Sequence, residues 1–376
     1  MSDPEKLRTA WLCPSPGPNT SAFYDALSRV RGCEVEVFYC AADHDKWRGS
    51  FAVSGGHAHH VLWNANPWAQ RLDLLHTNPG VVPTFLDRRF DIVVIATIAS
   101  PTGALAMATR WLARRPYAIW GEMVNRSGSG LRRVAQAHTV HALVRRADAV
   151  FTMGERARQS FRSIGVAPAR ILELPYCCDL QPYLDVERGP TPARRGRHRV
   201  ATLSQLIPRK RVDLVIESFV ALASACPDWD LVVGGDGPLA ASLRERVPSG
   251  LRDRVQFAGF VGKAAQPEFY GAADLFVLAS REDGWGMVVP EAMASGLPVI
   301  STLGVESAVA LLAEGGGELV GPDDGPALRD AMARWMRDPA LCAREGARAR
   351  AIARHYDPAA IAARVATDLR RILRRS

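Results

Sequence analysis

The chain has 376 residues, 48% of them hydrophobic and 23% charged, and a formal net charge of +8. This length exceeds what one hydrophobic core usually supports, so two domains are expected, and the composition excludes a disordered or collagen-like chain. Because no apolar run approaches the ~18 residues of a membrane span and the N-terminus lacks a secretory signal pattern, we expect a soluble, cytoplasmic protein.

The first half of the chain alternates predicted strands with predicted helices. Strands are predicted at residues 9–13, 33–40, 91–97, 117–122 and 149–154. Helices are predicted at residues 20–30 and 103–115. The loop-rich stretch 48–70 matches neither pattern. We expect this half to form an N-terminal domain over residues 1–185.

The second half begins after a predicted linker at 186–198, which is rich in Pro, Gly and Arg. Strands are predicted at residues 199–205, 255–261, 275–280 and 298–302, and residues 230–238 are predicted to form a strand that ends in a glycine turn. Helices are predicted at residues 212–225 and 265–273. This alternation predicts a parallel sheet in a domain at 199–355, before a C-terminal helix at 356–376 that packs back on the first domain. The fold class is therefore α/β, with two doubly wound, Rossmann-like domains facing across a cleft.

One turn, in the stretch REDGWGMVVPEAMASG, joins a predicted strand to a helix expected to start near Gly286. Pro290 suits the first turn of that helix, where its missing N–H needs no partner. The other first-turn N–H groups and the helix dipole favour an anion, and the two glycines of the turn allow a ligand close to the backbone. Asp283 and Glu291 can then accept hydrogen bonds from sugar hydroxyls. From the residues alone, an N-cap Asp283 and a solvated Glu291 stay open as the alternative.

The same turn lies in a stretch that resembles glycosyltransferase family 4. In SREDGWGMVVPEAMASGLPVIST, two acids separated by seven residues precede a small-residue helix and G-x-P-V-I. LSQLIPRKRVDLVIESFVAL, LVVGGDGP, VQFAGFV and FYGAADLFVLAS follow the family's order, and residues 145–179 resemble the close of its acceptor domain. The resemblance implies a GT-B fold and retaining transfer from a nucleotide sugar. It also makes the first domain the acceptor-binding one and the second the nucleotide-sugar-binding one.

The resemblance implies a role for several residues of this turn. Glu291 is expected to hold the ribose hydroxyls of the nucleotide, and the backbone around Gly286, Met287 and Val288 to meet the sugar and the diphosphate. Asp283 stands where the family usually has a glutamate and is expected to contact the donor sugar as a catalytic residue. Its side chain is shorter by one methylene, which would shift the sugar preference, admit a water or silence the site.

Two more residues of the second half stand at donor-binding positions of the family, and a third lies beside them. Lys210 matches the family's diphosphate lysine, and a cation there would offset charge on the departing nucleoside diphosphate. Gln205 stands where an arginine is common, and it brings hydrogen bonds without charge. Arg209, next to Lys210, would compensate for that missing charge, although the resemblance does not extend to it.

The first half offers two candidates. Gly17 lies in the loop PSPGPNTS after the first predicted strand, and we expect it to pass close to the diphosphate. Glu122 falls where many relatives have a histidine near the reacting sugar, and it is expected to orient the acceptor hydroxyl. A surface loop acid is an equally good interpretation of Glu122.

We expect no metal and no cofactor other than the nucleotide sugar, which is a co-substrate. DHD at 43–45 and DWD at 228–230 have the D-x-D form that another class of glycosyltransferases uses for metal, but chance matches are favoured. The histidines of GGHAHH at 55–60 lack a carboxylate or cysteine nearby in sequence. GGDGP at 234–238 lacks the G-x-G-x-x-G of a dinucleotide site.

Three hypotheses for the function follow. The favoured one is a retaining glycosyltransferase that moves a sugar to a hydroxyl of a secondary metabolite or a cell-envelope glycan. The alternative is a non-catalytic GT-B subunit that binds a nucleotide sugar or a partner, suggested by Asp283 and Gln205. A nucleotide-sugar epimerase ranks last, because the first domain offers only Glu122 as an acid–base group. The arginines are spread out, which argues against a nucleic-acid partner and allows peripheral membrane contact at most.

Overall fold

The computed structural model describes residues 6–41, 56–65, 77–122, 131–186 and 197–375. Its contacts divide the chain into two units. Unit 1 comprises Met1–Cys178 and Pro358–Ser376, and unit 2 comprises Asp179–Asp357. The last helix of the chain thus belongs to unit 1, and the division falls before residue 185, where we expected the first domain to end.

Unit 1 is a seven-stranded parallel sheet with helices. Its strands are β1 (Leu7–Cys13), β2 (Cys33–Tyr39), β3 (Ala58–Val61), β4 (Ile92–Ile95), β5 (Tyr117–Gly121), β6 (Ala149–Thr152) and β7 (Ile171–Glu173). Its helices are α1 (Pro18–Ser28), α2 (Val81–Leu86), α3 (Pro101–Leu112), α4 (Leu131–Arg146) and α5 (Glu155–Ser163), with α14 (Pro358–Leu373) from the end of the chain. The strand order is β3-β2-β1-β4-β5-β6-β7. Strands β4 and β5 are buried along their whole length, as expected for a sheet covered on both faces.

Unit 2 is a six-stranded parallel sheet with helices. Its strands are β8 (His198–Leu203), β9 (Trp229–Gly234), β10 (Val255–Gly259), β11 (Leu275–Leu278), β12 (Val299–Thr302) and β13 (Gly317–Val320). Its helices are α6 (Gln181–Leu184), α7 (Val212–Leu222), α8 (Ala240–Glu245), α9 (Gln266–Gly271), α10 (Val288–Ala294), α11 (Glu306–Leu312), α12 (Gly325–Arg337) and α13 (Pro339–Ala353). The strand order is β10-β9-β8-β11-β12-β13, so the order reverses between β8 and β11.

The core of unit 2 explains why its strands can be recognised in the sequence. Fully buried side chains of α7 pack on those of β8, β9 and β11, among them Val215, Phe219, Leu231 and Val277. Strand β11 (LFVL) is buried at every position, which produces the continuous apolar run seen in the sequence. The α/β class with two parallel sheets is confirmed.

Some elements were missed for identifiable reasons. Strand β3 has the sequence AHHV and is exposed at all four positions, so no apolar pattern marks it. The stretch 230–238, predicted as a strand that ends in a glycine turn, was identified correctly: β9 ends at Gly234, and Gly235 (φ 115°) and Gly237 (φ 156°) then turn the chain. A Cβ at either glycine would meet the backbone of Ser204 or Leu206 within 3 Å. The GGDGP glycines are therefore needed for the chain's own packing.

Several interpretations fall outside the described residues. These include the DHD pattern at 43–45 and most of the predicted linker. No helix in the described part of the chain is both long and apolar enough to cross a bilayer.

Candidate active site

The candidate site of unit 2 lies where its strand order reverses. Strands β8 and β11 are parallel neighbours, so the loops that follow them leave the same edge of the sheet. In open α/β sheets, ligands bind in the crevice beside the carboxyl ends of the strands at this point. The loop after β8 carries Gln205, Arg209 and Lys210, and the loop after β11 carries Asp283 and Gly286.

Lys210 and Asp283 join these two loops. Lys210 closes a short 3-10 helix at Pro208–Lys210, and its Nζ donates a hydrogen bond to Asp283 Oδ2. Only 8% of Lys210 is exposed. The backbones are tied as well, because Arg281 N donates to Arg209 O over 2.7 Å. The structure therefore brings together two predicted site residues that lie 73 positions apart in the sequence.

The buried position of Lys210 affects its charge. Burial lowers the pKa of the Lys210 ammonium below its usual value, because a desolvated cation is disfavoured. The Asp283 carboxylate opposes this effect and raises the pKa, whereas the nearby Arg209 lowers it slightly. Among the described residues, Asp283 is the one carboxylate that pairs with this buried lysine.

Asp283 does not cap helix α10, so that alternative interpretation was wrong. Its backbone forms a parallel bridge with Val305, and its N–H donates to Gly304 O over 2.9 Å. Its side chain faces the lysine, and Arg209 Nη1 lies 3.8 Å from Asp283 Oδ1. Arg209 also donates to the Glu282 carbonyl over 3.0 Å. Arg209 is therefore part of the cluster, with its guanidinium half-exposed.

Glu291, the fourth residue of α10, is buried, which contradicts the alternative of a solvated helix residue. Its Oε1 accepts a hydrogen bond from Lys263 Nζ over 2.5 Å, and its Oε2 accepts one from Tyr270 over 3.0 Å. Sequence reasoning found neither partner. Lys263 Nζ also lies 5.2 Å from the centre of the Tyr183 ring. The Lys263 ammonium is therefore positioned by both this aromatic face and the Glu291 carboxylate.

The turn before α10 differs from our expectation in two respects. Helix α10 begins at Val288 rather than near Gly286. Gly286 has φ of 85°, and a Cβ there would lie 2.6 Å from Val305 Cγ1, so the chain's own packing accounts for this glycine. Within the described residues, the N–H groups of Met287 and Val288 have no hydrogen-bond acceptor. Their predicted contact with a diphosphate stays a prediction.

A matched pair of glycine variants tests this account of the turn. We expect Gly286→Ala to lower the free energy of unfolding by about 1–3 kcal/mol, because alanine meets both a positive φ and a close contact. Gly17→Ala is the control, since Gly17 has φ of −151° and the nearest atom to its Cβ would be 3.7 Å away. Chemical denaturation measures both variants. Equal stability would contradict the account.

Gln205 and Gly17 have backbone roles in their own units. Gln205 is exposed, and its carbonyl accepts the N–H of Ile207 over 3.0 Å. In unit 1, the Gly17 carbonyl precedes α1 and accepts bonds from the N–H and hydroxyl groups of Thr20 and Ser21 over 3.1–3.2 Å. The predicted ligand contacts of both residues stay predictions.

Glu122 follows β5 in unit 1 and is exposed. It hydrogen-bonds to Tyr176, which sequence reasoning did not select. Burial raises the pKa of the Tyr176 hydroxyl, and the Glu122 carboxylate raises it further, so this tyrosine stays protonated and donates to the glutamate. The Tyr176 ring lies 5.8 Å from that of Trp120, which belongs to β5, the strand just before Glu122.

The histidines near β3 have carboxylate neighbours that the sequence did not reveal. His57 Nδ1 lies 2.6 Å from Asp25 Oδ1, and His60 Nε2 lies 3.0 Å from Glu36 Oε2. These two histidines contact different acids, whereas His59 Nδ1 lies 3.4 Å from the His57 carbonyl oxygen. No group of three metal-ligating side chains occurs among the described residues. The expectation of metal independence stays a prediction.

Comparison with known proteins identifies the family. Residues 185–352 match the family described as "Glycosyl transferases group 1", and residues 20–177 match the "Glycosyl transferase 4-like domain". The chain belongs to glycosyltransferase family 4. These matches confirm the resemblance seen in the sequence.

Curated relatives of this family 4 protein include several sugar transferases. It is 40% identical over 146 residues to a lipopolysaccharide core biosynthesis mannosyltransferase of Rhizobium meliloti, covering 36% of this chain and 40% of the relative. It is 29% identical over 247 residues to an alpha-D-kanosaminyltransferase of Streptomyces kanamyceticus, covering 62% and 61%. A mannosylfructose-phosphate synthase of Agrobacterium fabrum is 42% identical over 113 residues, covering 28% and 25%. The matches thus span less than two thirds of these relatives' own lengths.

Solved structures show the GT-B fold. The chain resembles Anabaena HepE, solved with UDP and glucose, with a TM-score of 0.67, 20% identity and coverage of 96% and 99%. It also resembles WaaG, a lipopolysaccharide glycosyltransferase, with a TM-score of 0.63, 16% identity and coverage of 96% and 99%. At sequence identities this low, the structural similarity establishes only the fold of this family 4 protein.

Proposed function

We propose that this protein is a retaining glycosyltransferase that moves a hexose from a nucleoside-diphosphate sugar to a hydroxyl of an acceptor. The observation that carries the proposal is the buried Lys210 ammonium beside Asp283, at the reversal of the strand order in unit 2. A buried lysine that pairs with one carboxylate in the described part of the chain is well placed to receive a second, anionic partner.

Lys210 supplies the charge that the departing group requires. Cleavage of the sugar–phosphate bond leaves negative charge on the diphosphate, and a preorganised cation in a water-poor environment stabilises that charge strongly. Arg209 lies at the same cluster and supplements it. The leaving phosphate itself takes the proton of the acceptor hydroxyl, so the protein contributes charge and alignment rather than a strong base.

Glu291 binds the ribose hydroxyls in this proposal. Each oxygen of an ionised carboxylate can accept two hydrogen bonds, and the Lys263 and Tyr270 bonds use one on each oxygen. A carboxylate held in this orientation presents acceptor oxygens that suit the hydroxyls of a vicinal diol. Lys263 and Tyr270 fix the carboxylate plane and prevent an uncompensated buried charge.

Asp283 contacts the donor sugar, and its length selects which sugar is accepted. Because Asp283 also holds Lys210, sugar and diphosphate contacts are coupled through one carboxylate. In unit 1, Glu122 and Tyr176 are the proposed contacts of the acceptor hydroxyl. Known relatives support a hexose: some are GDP-mannose-dependent mannosyltransferases, and HepE was solved with UDP-glucose.

The test is release of nucleoside diphosphate from a panel that includes GDP-mannose and UDP-glucose, with simple glycosides and with water as acceptors. Release from at least one donor, with the anomeric configuration retained in the product, is the expected result. Calorimetric binding of a nucleotide sugar without release under any acceptor would instead support the non-catalytic subunit.

The pH dependence of turnover tests the coupling between Lys210 and Asp283. We expect Asp283→Asn to move the alkaline limb of kcat to lower pH, because loss of the carboxylate lowers the pKa of Lys210 further and the ammonium deprotonates sooner. Asp323→Asn is the matched control, since Asp323 pairs with Arg211 and Arg281 instead. An unshifted limb in Asp283→Asn would show that the charge on Lys210 does not limit the rate at high pH.

A further inference from the structure

One surface of unit 1 is both apolar and basic. It lies at the amino ends of β5, β6 and β7, where α3 ends in Trp111 and Leu112. The exposed fraction is 44% for Trp111 and 73% for Leu112. These two adjacent apolar side chains are exposed at a helix end, and burying their surface against another molecule would be favourable.

Arginines border these two side chains. The Arg146 guanidinium lies over the Trp111 ring, 5.0 Å from its centre, and donates to the Ala142 carbonyl over 3.0 Å. Arg170 donates to the carbonyls of Arg145 and Ala147 over 3.4 Å. Backbone carbonyls orient a guanidinium without neutralising it. Within the part of the chain that the structure describes, Arg146 and Arg170 form no ion pair.

A cavity of about 270 Å³ continues this surface beneath the C-terminal end of α14. Arg170, Arg371 and Arg375 line it, with Asp148 as the acidic member. Arg371 pairs with Asp368 over 2.7 Å, whereas Arg375 has no ion pair among the described residues. The fork of an arginine fits the oxygens of a phosphate, and three forks around one cavity favour such a group.

We propose that this basic face, defined by Trp111, Leu112, Arg146, Arg170, Arg371 and Arg375, docks unit 1 on a membrane that contains anionic phospholipids. The apolar pair enters the interface between headgroups and acyl chains, where tryptophan is favoured, and the arginines bind lipid phosphates. The combination favours a lipid surface over a nucleic acid, because Leu112 would stay in water on a phosphate backbone. The proposal does not depend on the identity of the donor or acceptor.

The test is sedimentation of the full chain with large unilamellar vesicles. One set contains phosphatidylcholine alone, and the other contains phosphatidylcholine and phosphatidylglycerol in equal parts. We expect binding to the anionic set only, and weaker binding as salt is added. The triple variant Arg146→Gln/Arg170→Gln/Arg375→Gln should bind about a hundredfold more weakly, and Trp111→Ala/Leu112→Ala should also lose binding.

Matched controls lie on unit 2. Arg252→Gln/Arg329→Gln removes exposed positive charge, and Phe260→Ala removes an exposed aromatic ring. Both should bind as the unaltered chain does, and thermal unfolding should show that all variants are folded. The proposal is overturned by no binding to anionic vesicles, by equal losses in the control variants, or by binding to a nucleic-acid duplex through the same residues in place of vesicles.

Discussion

Replacing Lys210 by alanine is expected to lower the turnover rate by about two to three orders of magnitude, with the protein still folded. The reason is that Lys210 is the buried cation at the strand-order reversal, and burial makes its charge more effective on a developing anion. The measurement is steady-state release of nucleoside diphosphate from the accepted donor. We expect the loss mainly in kcat, since the diphosphate gains charge as the bond breaks.

The lysines themselves offer a control. Lys6→Ala removes a lysine that pairs with Glu34 on the surface of unit 1, and its turnover should equal that of the unaltered chain. Thermal unfolding distinguishes a catalytic loss in Lys210→Ala from a folding defect. Full turnover in Lys210→Ala would contradict the proposed role.

Replacing Glu291 by glutamine is expected to weaken binding of a nucleoside diphosphate by about 30-fold, corresponding to about 2 kcal/mol. The amide keeps the shape of the side chain but loses the negative charge that Lys263 and Tyr270 orient. Because Glu291 is buried, the free energy of unfolding should also fall by about 1–3 kcal/mol. Titration calorimetry with UDP and GDP measures the first effect, and chemical denaturation measures the second.

Glu318→Gln separates these two effects. Glu318 also accepts one bond from a cation, Arg334, and one from an aromatic donor, Trp335 Nε1. It lies on β13, outside the proposed site. Glu318→Gln should therefore lose some stability and bind the nucleotide normally. Normal nucleotide binding by Glu291→Gln would remove the ribose role while leaving the structural role intact.

The fold was predictable wherever burial leaves a pattern in the sequence. Strand β11 is buried at every position, and its sequence is therefore a continuous apolar run. Strand β3 is exposed at every position, and its sequence has no apolar pattern. Strand ends were less predictable, because backbone contacts between loops determine them. The glycine turn after β9 was predicted from its sequence, whereas the close approach of Ser204 that requires Gly235 leaves no local pattern.

The candidate site was predictable in part. Asp283, Glu291 and Lys210 were found from chemistry and spacing together with the family resemblance, and the structure joins Asp283 to Lys210. The partners of Glu291 were missed, because Lys263 and Tyr270 lie 28 and 21 residues earlier on other elements. Tyr183, whose ring contacts both Lys263 and Tyr270, lies earlier still in the sequence. A lone lysine between glycine and alanine carries no signal that it meets a buried acid.

The central claim is that the nucleoside diphosphate binds at the strand-order reversal of unit 2. A crystal structure of the chain with UDP or GDP bound tests it most directly. The account predicts diphosphate oxygens within hydrogen-bond distance of Lys210 Nζ and a ribose hydroxyl on the Glu291 carboxylate. A nucleotide bound with its diphosphate and ribose away from both residues would contradict it.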